Sequence, residues 1–363
     1  MTERCPKLAG AVAVALALLL APPGARAAAK TEVKKSALRR GLAVAPLPRE
    51  KAVRQHAPFE DGDCGVCHER NVGPDPGPIR HASVNEQCFE CHDDVREVMT
   101  RKYKHVPAVE ACTDCHNPHN SAEPSLLTSD MGALCVSCHK GIRDQLANGK
   151  VQHEAVIKDR KCANCHNPHA TNVEKLLVQL PFDLCVNCHS QDGMRASDGT
   201  EMTNYRKWLD ENRVWHAPVE AKDCSSCHRT HAGDYFRLLV APYPATFYAP
   251  YDVKNYALCY GCHNDKVVST PQTTTLTGFR DGPRNLHYVH VHKERGRTCR
   301  ACHEVHASKQ DHHIRESVPY GPKNWNLRIN YVKTPTGGQC SKTCHETKTY
   351  NNTTLTGSAS SKP

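Results

Sequence analysis

"CTDCHNPHNSAEPSLLTSDMGALCVSCH", residues 112–139, holds four cysteines and three histidines in 28 positions. Residues 162–189, "CANCHNPHATNVEKLLVQLPFDLCVNCH", repeat it at an offset of 50, with the cysteines, the histidines and a pair of leucines in register. A Cys-x-x-Cys-His with a second histidine three residues on, followed by another Cys-x-x-Cys-His, is a unit that needs a chemical reason.

Outward from that stretch the arrangement recurs along the whole chain. Cysteines stand in pairs at Cys64/Cys67, Cys88/Cys91, Cys112/Cys115, Cys135/Cys138, Cys162/Cys165, Cys185/Cys188, Cys224/Cys227, Cys259/Cys262 and Cys299/Cys302. Each second cysteine is followed at once by a histidine: His68, His92, His116, His139, His166, His189, His228, His263 and His303. A tenth pair, Cys340 and Cys344, has one residue more between its members and is again followed by His345. Ten such coincidences have a chance on the order of 10^-12, and Cys-x-x-Cys-His is the attachment signature of c-type haem. Two thiols at this spacing reach the vinyl groups on one porphyrin edge, and the next residue brings its imidazole beneath the ring to the iron. The expectation is ten covalently attached haem c groups. Zinc sites use no histidine adjacent to every second cysteine, a redox dithiol needs one copy in a βαβ context, and regular pairing argues against a disulfide scaffold.

The N-terminus bears on the compartment. Arg4 and Lys7 precede an apolar run at residues 8–21, and Ala25 and Ala27 offer the small residues of a cleavage site. Residues 1–27 therefore read as a secretory signal, discarding Cys5 and leaving twenty of the 21 cysteines. The apolar run is shorter than the ~20 residues a membrane-spanning helix requires, so no transmembrane segment is expected.

What each iron does depends on its sixth ligand. The chain has 24 histidines, and only Met99, Met131, Met194 and Met202 come after the signal, so bis-histidine ligation is the expectation. His56, His105, His153 and His216 lie seven to nine residues before a haem loop, three of them in His-x-Pro. His119, His169, His231 and His306 sit three residues after an attachment-loop histidine, and His81 and His292 each lie seven before a cysteine. These ten are the candidate distal ligands, with His292 preferred over His290, while His287, His312 and His313 are assigned to the surface or to propionates. Which candidate serves which haem stays open at this point.

A leading histidine, a haem loop, a trailing histidine and a second haem loop make a two-haem unit. Five are present, at about residues 56–92, 105–139, 153–189, 216–263 and 292–345; the first lacks the trailing histidine, and the fourth carries a Tyr-rich insert, "APYPATFYAPYD". These motifs resemble the doubled-CXXCH family of multihaem c-type cytochromes, and ten haems on an exported chain of this size are similar to the periplasmic decahaem cytochromes of outer-membrane electron conduits. The resemblance implies redox partner proteins, among them an outer-membrane β-barrel porin and an outer-surface cytochrome.

With 6 Phe, 24 Pro and a mean hydropathy of -0.62, the chain lacks the material for an ordinary core of its length. The fold expected is a mostly irregular, haem-packed, elongated multihaem cytochrome c with short α-helices and little or no β-sheet. Its regions are a basic flexible arm at 28–54, a compact six-haem region at 56–189, a helical spacer at 190–223, a looser four-haem region at 224–346 and a disordered tail at 347–363. Helices are expected in "DDVREVMTRKY", "KGIRDQLANG" and "EMTNYRKWLDENRVW". Twenty propionates would turn a mature charge of about +7 to roughly -13, so the basic pI is no argument for nucleic acid. The functional expectation is an electron-transfer protein rather than an enzyme, working in the periplasm or at the outer membrane. The alternatives are a nitrite-type reductase with one open haem, at the second or tenth site, and an extracellular filament or surface cytochrome.

Overall fold

The computed structural model describes residues 44–70, 76–196, 198–321 and 325–353. The signal segment and residues 28–43 of the basic arm lie outside them.

The haem loops come in two backbone forms that alternate. The first loop of each unit is a 3-10 turn, at Cys64–Val66, Cys112–Asp114, Lys161–Asn164, Cys224–Ser226 and Cys299–Ala301. The second loop of the first four units winds out of a short α-helix, at Val84–Phe89, Met131–Cys138, Pro181–Cys188 and Ala257–Tyr260. In all nine the histidine N–H donates to the carbonyl of the first cysteine, at 2.9–3.0 Å. One helical turn therefore sets positions i, i+3 and i+4, both cysteines and the histidine, on the same face. The wider tenth loop departs from this: Cys340 lies in a strand, Gly337–Ser341, of a three-stranded sheet with Asn330–Thr334 and Lys348–Asn351.

Units are joined by a repeated clasp. Two residues ahead of each leading histidine pair antiparallel with two residues behind the trailing histidine of the next unit: Arg54–Gln55 with Asn120–Ser121, Tyr103–Lys104 with Ala170–Thr171, Val151–Gln152 with Ala232–Gly233, and Val214–Trp215 with Ala307–Ser308. The ladder continues through the histidines. N–H groups of His56, His105, His153 and His216 donate to the carbonyls of His119, His169, His231 and His306 at 2.9–3.0 Å. After the leading histidine a short helix begins, and the proline of His-x-Pro falls in its first turn, where its missing N–H is no loss. At the clasp there is room only for small side chains. Ala170, Ala232 and Ala307 are fully buried, and a Cβ on Gly149 would meet that of Ala232 at 2.8 Å.

Elements expected from the sequence are found at Asp93–Val98, Lys140–Asn148 and Tyr205–Glu211. Sheet is limited to two-residue ladders, a hairpin of Ser317–Tyr320 with Trp325–Arg328, and the three-stranded sheet. Two departures stand at the ends. Part of the arm expected to be flexible is tied down: the side chain of Asn120 accepts from the Leu47 N–H and donates to the Leu47 carbonyl. Part of the tail expected to be disordered, Lys348–Asn351, supplies the third strand.

Buried apolar side chains form small clusters. Phe182, Val186, Leu209 and Ala307 gather under the spacer helix, with Trp208 and Trp215 donating their indole N–H groups to the carbonyls of Ala307 and Leu209. The Tyr-rich insert packs inward through Tyr243, which with Tyr256 just beyond it is buried beside Leu239 and against Cys259 and Cys299. Such clusters are too few to hold a chain this long without cofactors. Two outcomes are expected. Expressed in a host that cannot attach haem, the chain should show no cooperative thermal transition by circular dichroism. Ala232→Leu in the haem-loaded protein should destabilise it by about 1–3 kcal/mol through overpacking, read as a lowered Tm.

Candidate haem-binding array

The histidines of the attachment loops do not stand alone. Each faces a second imidazole with ring centres 6.0–6.5 Å apart. In chain order of the loops the pairs are His68 with His119, His92 with His56, His116 with His169, His139 with His105, and His166 with His231. They continue with His189 and His153, His228 and His306, His263 and His216, His303 and His287, and His345 and His290. Planes in eight of the ten are within 22° of parallel; His116/His169 and His290/His345 are tilted by 36° and 44°.

That separation is too wide for ring stacking, which brings carbon atoms to about 3.5–4.0 Å. It is what two imidazoles adopt on opposite sides of one metal at metal–nitrogen bonds of about 2.0 Å, with ring centres about 6.2 Å apart. Among the described residues no group of three or more His, Cys, Asp or Glu has the arrangement of a metal cage, so the imidazoles meet in twos. Donor set and spacing both fit haem iron, whose four equatorial positions belong to the porphyrin.

Hydrogen bonds aim the rings. In the first loop of every unit the histidine Nδ1–H donates to a carbonyl nine residues on, from His68 to Gly77 at 2.6 Å, His116 to Ser125 at 2.8 Å, His166 to Lys175 at 2.8 Å, His228 to Arg237 at 2.9 Å and His303 to His312 at 2.8 Å. Nε2 is left to face the partner, a tautomer choice typical of metal-bound histidine. Four of these carbonyls are delivered by successive residues in the left-handed region: Ser125 and Leu126, Lys175 and Leu176, Arg237 and Leu238, His312 and His313. That conformation costs roughly 1–2 kcal/mol per residue, which marks the carbonyl's placement as specific. The leucine pairs visible in the repeats are part of this turn, and Leu127 and Leu239 bury their side chains as they bridge to His116 and His228.

Burial disfavours the charged form of many of the facing rings, in the direction iron ligation requires. Burial pushes His287 down to about 4, helped by His303 opposite, and burial likewise lowers His105, His119, His153, His169, His189, His216, His228, His231, His290 and His303. Tyr256 OH and Arg300 Nε are buried donors with no protein acceptor, chemistry that haem propionates complement.

The cysteines from Cys64 to Cys344 are free thiols, so none is spent in a disulfide. The second loop of one unit and the first of the next meet through their leading thiols, Cys88 with Cys112, Cys135 with Cys162, Cys185 with Cys224 and Cys259 with Cys299, each within hydrogen-bonding reach. Within each unit the trailing thiols are neighbours, Cys67 with Cys91, Cys115 with Cys138, Cys165 with Cys188, Cys227 with Cys262 and Cys302 with Cys344. Loop order in space thus matches loop order in the chain.

Of the ten distal candidates read from the sequence, His56, His105, His119, His153, His169, His216, His231 and His306 are brought opposite attachment-loop histidines. His81 and His292 are not: His81 lies 3.9 Å from Glu90, and His292 stacks between Tyr288 and Tyr251. Their places are taken by His287 and His290, spaced i, i+3 on one face of the helix Leu286–Val291, a spacing that distinguishes them from His292.

The family described as "Doubled CXXCH motif" matches residues 56–97, 105–144, 153–194 and 216–268, each match opening on a leading histidine. Multiheme cytochrome MtrA of Shewanella baltica (strain OS185) is 33% identical over 87 residues, 23% of this chain and 26% of that protein. The matched segment therefore spans about a quarter of that relative. Four motif pairs in register, on loops that turn two thiols and an imidazole to one face, make the chain a multihaem c-type cytochrome of the doubled-CXXCH family.

Proposed function

We propose that the chain carries ten haem c groups, each with two histidine ligands, and relays electrons along them in the order of the sequence. The attachment cysteines are Cys64/Cys67, Cys88/Cys91, Cys112/Cys115, Cys135/Cys138, Cys162/Cys165, Cys185/Cys188, Cys224/Cys227, Cys259/Cys262, Cys299/Cys302 and Cys340/Cys344. The axial ligands are the ten facing histidine pairs. Haem bound this way supplies reversible one-electron exchange at iron whose two axial positions are both filled. The observation that carries the reading is that no attachment-loop histidine lacks an imidazole opposite it. An open substrate face, as an oxyanion reductase needs, has no counterpart in that arrangement.

The protein's part in the relay is placement. Clasps between consecutive units and thiol contacts between consecutive loops keep neighbouring attachment sites together, so a row forms rather than scattered centres. The pathway belongs in the periplasm or across the outer membrane, where a β-barrel partner would enclose the row and an outer-surface cytochrome would accept electrons. Among the described residues no helix is long and apolar enough to cross a bilayer, so the enclosure has to come from a partner.

Two measurements test this. The pyridine haemochrome assay should return ten haems per chain, and magnetic circular dichroism of the oxidised protein should show low-spin iron only; a lower count or a high-spin fraction in the wild type sinks the proposal. His287→Ala and His290→Ala should each turn one-tenth of the iron high-spin, whereas His81→Ala and His292→Ala should leave the spectrum unchanged. For the outer-membrane role, the haem-loaded chain should fractionate with outer membranes only when a barrel is co-expressed; equal fractionation without one argues against enclosure.

A further inference from the structure

The units differ in the residue just after the first attachment-loop histidine. Asn117 and Asn167 stand there in the second and third units and Arg229 in the fourth, whereas the first and fifth have Glu69 and Glu304; the first unit has no trailing histidine for Glu69 to reach, but the fifth has His306. The asparagines use their side-chain oxygens to accept from the backbone N–H of His119 and His169, at 3.0 and 2.9 Å. Glu304 does something else: its Oε1 lies 3.4 Å from Nδ1 of His306 and also accepts from the Val305 N–H at 3.0 Å. Its Oε2 accepts from Nη2 of Arg315 at 2.8 Å, and the Arg315 Nε donates to the His303 carbonyl at 3.0 Å. Both charged side chains are nearly buried, with exposures of 10% and 11%. Burial pushes the Glu304 carboxyl up, but His306, Arg315 and Arg300 together hold it below its ordinary value.

Across the pair, His228 donates its own Nδ1–H to the Arg237 carbonyl at 2.9 Å. The His228/His306 pair therefore has an acceptor behind each imidazole, and one of the two is an anion. A carboxylate accepting from Nδ1–H draws the proton away from the ring and makes Nε2 a more basic ligand, which favours ferric over ferrous iron. Arg315 fixes the carboxylate from its far side and does not touch His306.

We propose that Glu304 is a positioning residue that strengthens His306 as a ligand and so lowers the reduction potential of the seventh iron site. This rests on the assignment of His228 and His306 as its ligands. A step downward at the seventh site lies just past the junction of the six-loop and four-loop regions. There Tyr205 packs its ring edge-on against His306 at 4.8 Å and against His189 of the sixth loop at 6.4 Å. The seventh site would accept electrons last among its neighbours and meter passage between the two halves of the row.

The test is a spectroelectrochemical titration of the full haem-loaded chain and its variants. Glu304→Gln keeps the shape and removes the charge; it should shift one-tenth of the absorbance upward in potential, by about tenfold in the reduction equilibrium or about 59 mV for a one-electron couple, with all iron still low-spin. The reverse transplant, Asn167→Glu, should lower one-tenth of the envelope and decides the matter if Glu304→Gln fails to accumulate. In a His306→Ala background, Glu304→Gln should no longer move the low-spin envelope. An unchanged titration with intact low-spin iron overturns the proposal, as does an equal shift in the His306→Ala background, which would mean that the charge acts through space and not through the ligand. If His306→Ala itself creates no high-spin iron, the ligand assignment falls instead.

Discussion

The constraint on which the rest depends is that a two-loop unit cannot complete its own imidazole pairs. Each of the first four units carries a leading histidine that reaches its own second loop, but the imidazole facing its first loop comes from the trailing histidine of the next unit. Those two histidines are neighbours in one antiparallel ladder, joined by a backbone hydrogen bond and flanked by a two-residue strand pair. The facing of imidazoles and the pairing of chain segments are thus the same contact seen from two sides. Consecutive units are locked in order, as in repeat proteins whose stability resides at the interfaces between neighbours.

The first and fifth units depart from this scheme. In the first, no histidine stands after His68 in the place that His119 and His169 occupy in their units. In the fifth, the imidazole opposite His303 is found within the same unit, at His287, one helical turn before His290. Its second loop does not wind out of a helix like the others: Cys340 is carried by a strand of the three-stranded sheet, with Cys344 and His345 following it.

Much of this was legible in the residues themselves. The ten attachment loops, the doubled units and eight of the ten facing histidines can be read from spacing alone, because covalent attachment forces cysteines and histidine onto one turn. The shortage of strong secondary structure was foreshadowed by composition. Other features were not legible, for physical reasons. His290 and His292, nine and seven residues before Cys299, both satisfy the spacing rule while His287 does not, and only the helix Leu286–Val291 puts His287 and His290 on one face. His81 satisfies the spacing rule but lies beside Glu90. Nothing in the Tyr-rich insert marks which of its rings are buried, yet Tyr243, with Tyr256 just beyond the insert, packs against Leu239 and the cysteines of two successive units. Pairing between short strands more than sixty residues apart, as between Gln55 and Asn120, leaves no local signature in two-residue segments.

The alternation of loop types adds a further step. First loops anchor the attachment-loop histidine to a carbonyl nine residues on, whereas at the sixth loop the backbone anchor falls on the opposite imidazole, Nδ1 of His153 on the Thr230 carbonyl at 3.1 Å, and at the tenth both rings are anchored, His290 to the Leu286 carbonyl at 2.7 Å and His345 to the Glu346 carbonyl at 2.6 Å. A histidine that donates to a neutral carbonyl is a modestly better ligand than one that does not. Most pairs have one such ring, so their ligand strengths are similar and the row is close to level in its protein-derived tuning. Against that background a carboxylate behind one ring stands out more than it would in a site of varied design, because it is a large perturbation on an otherwise uniform series. A buried anion is tolerated there because Arg315 and Arg300 offset its charge, and the arginine partner leaves the carboxylate oxygen 3.4 Å from Nδ1 of His306 free to face that ring.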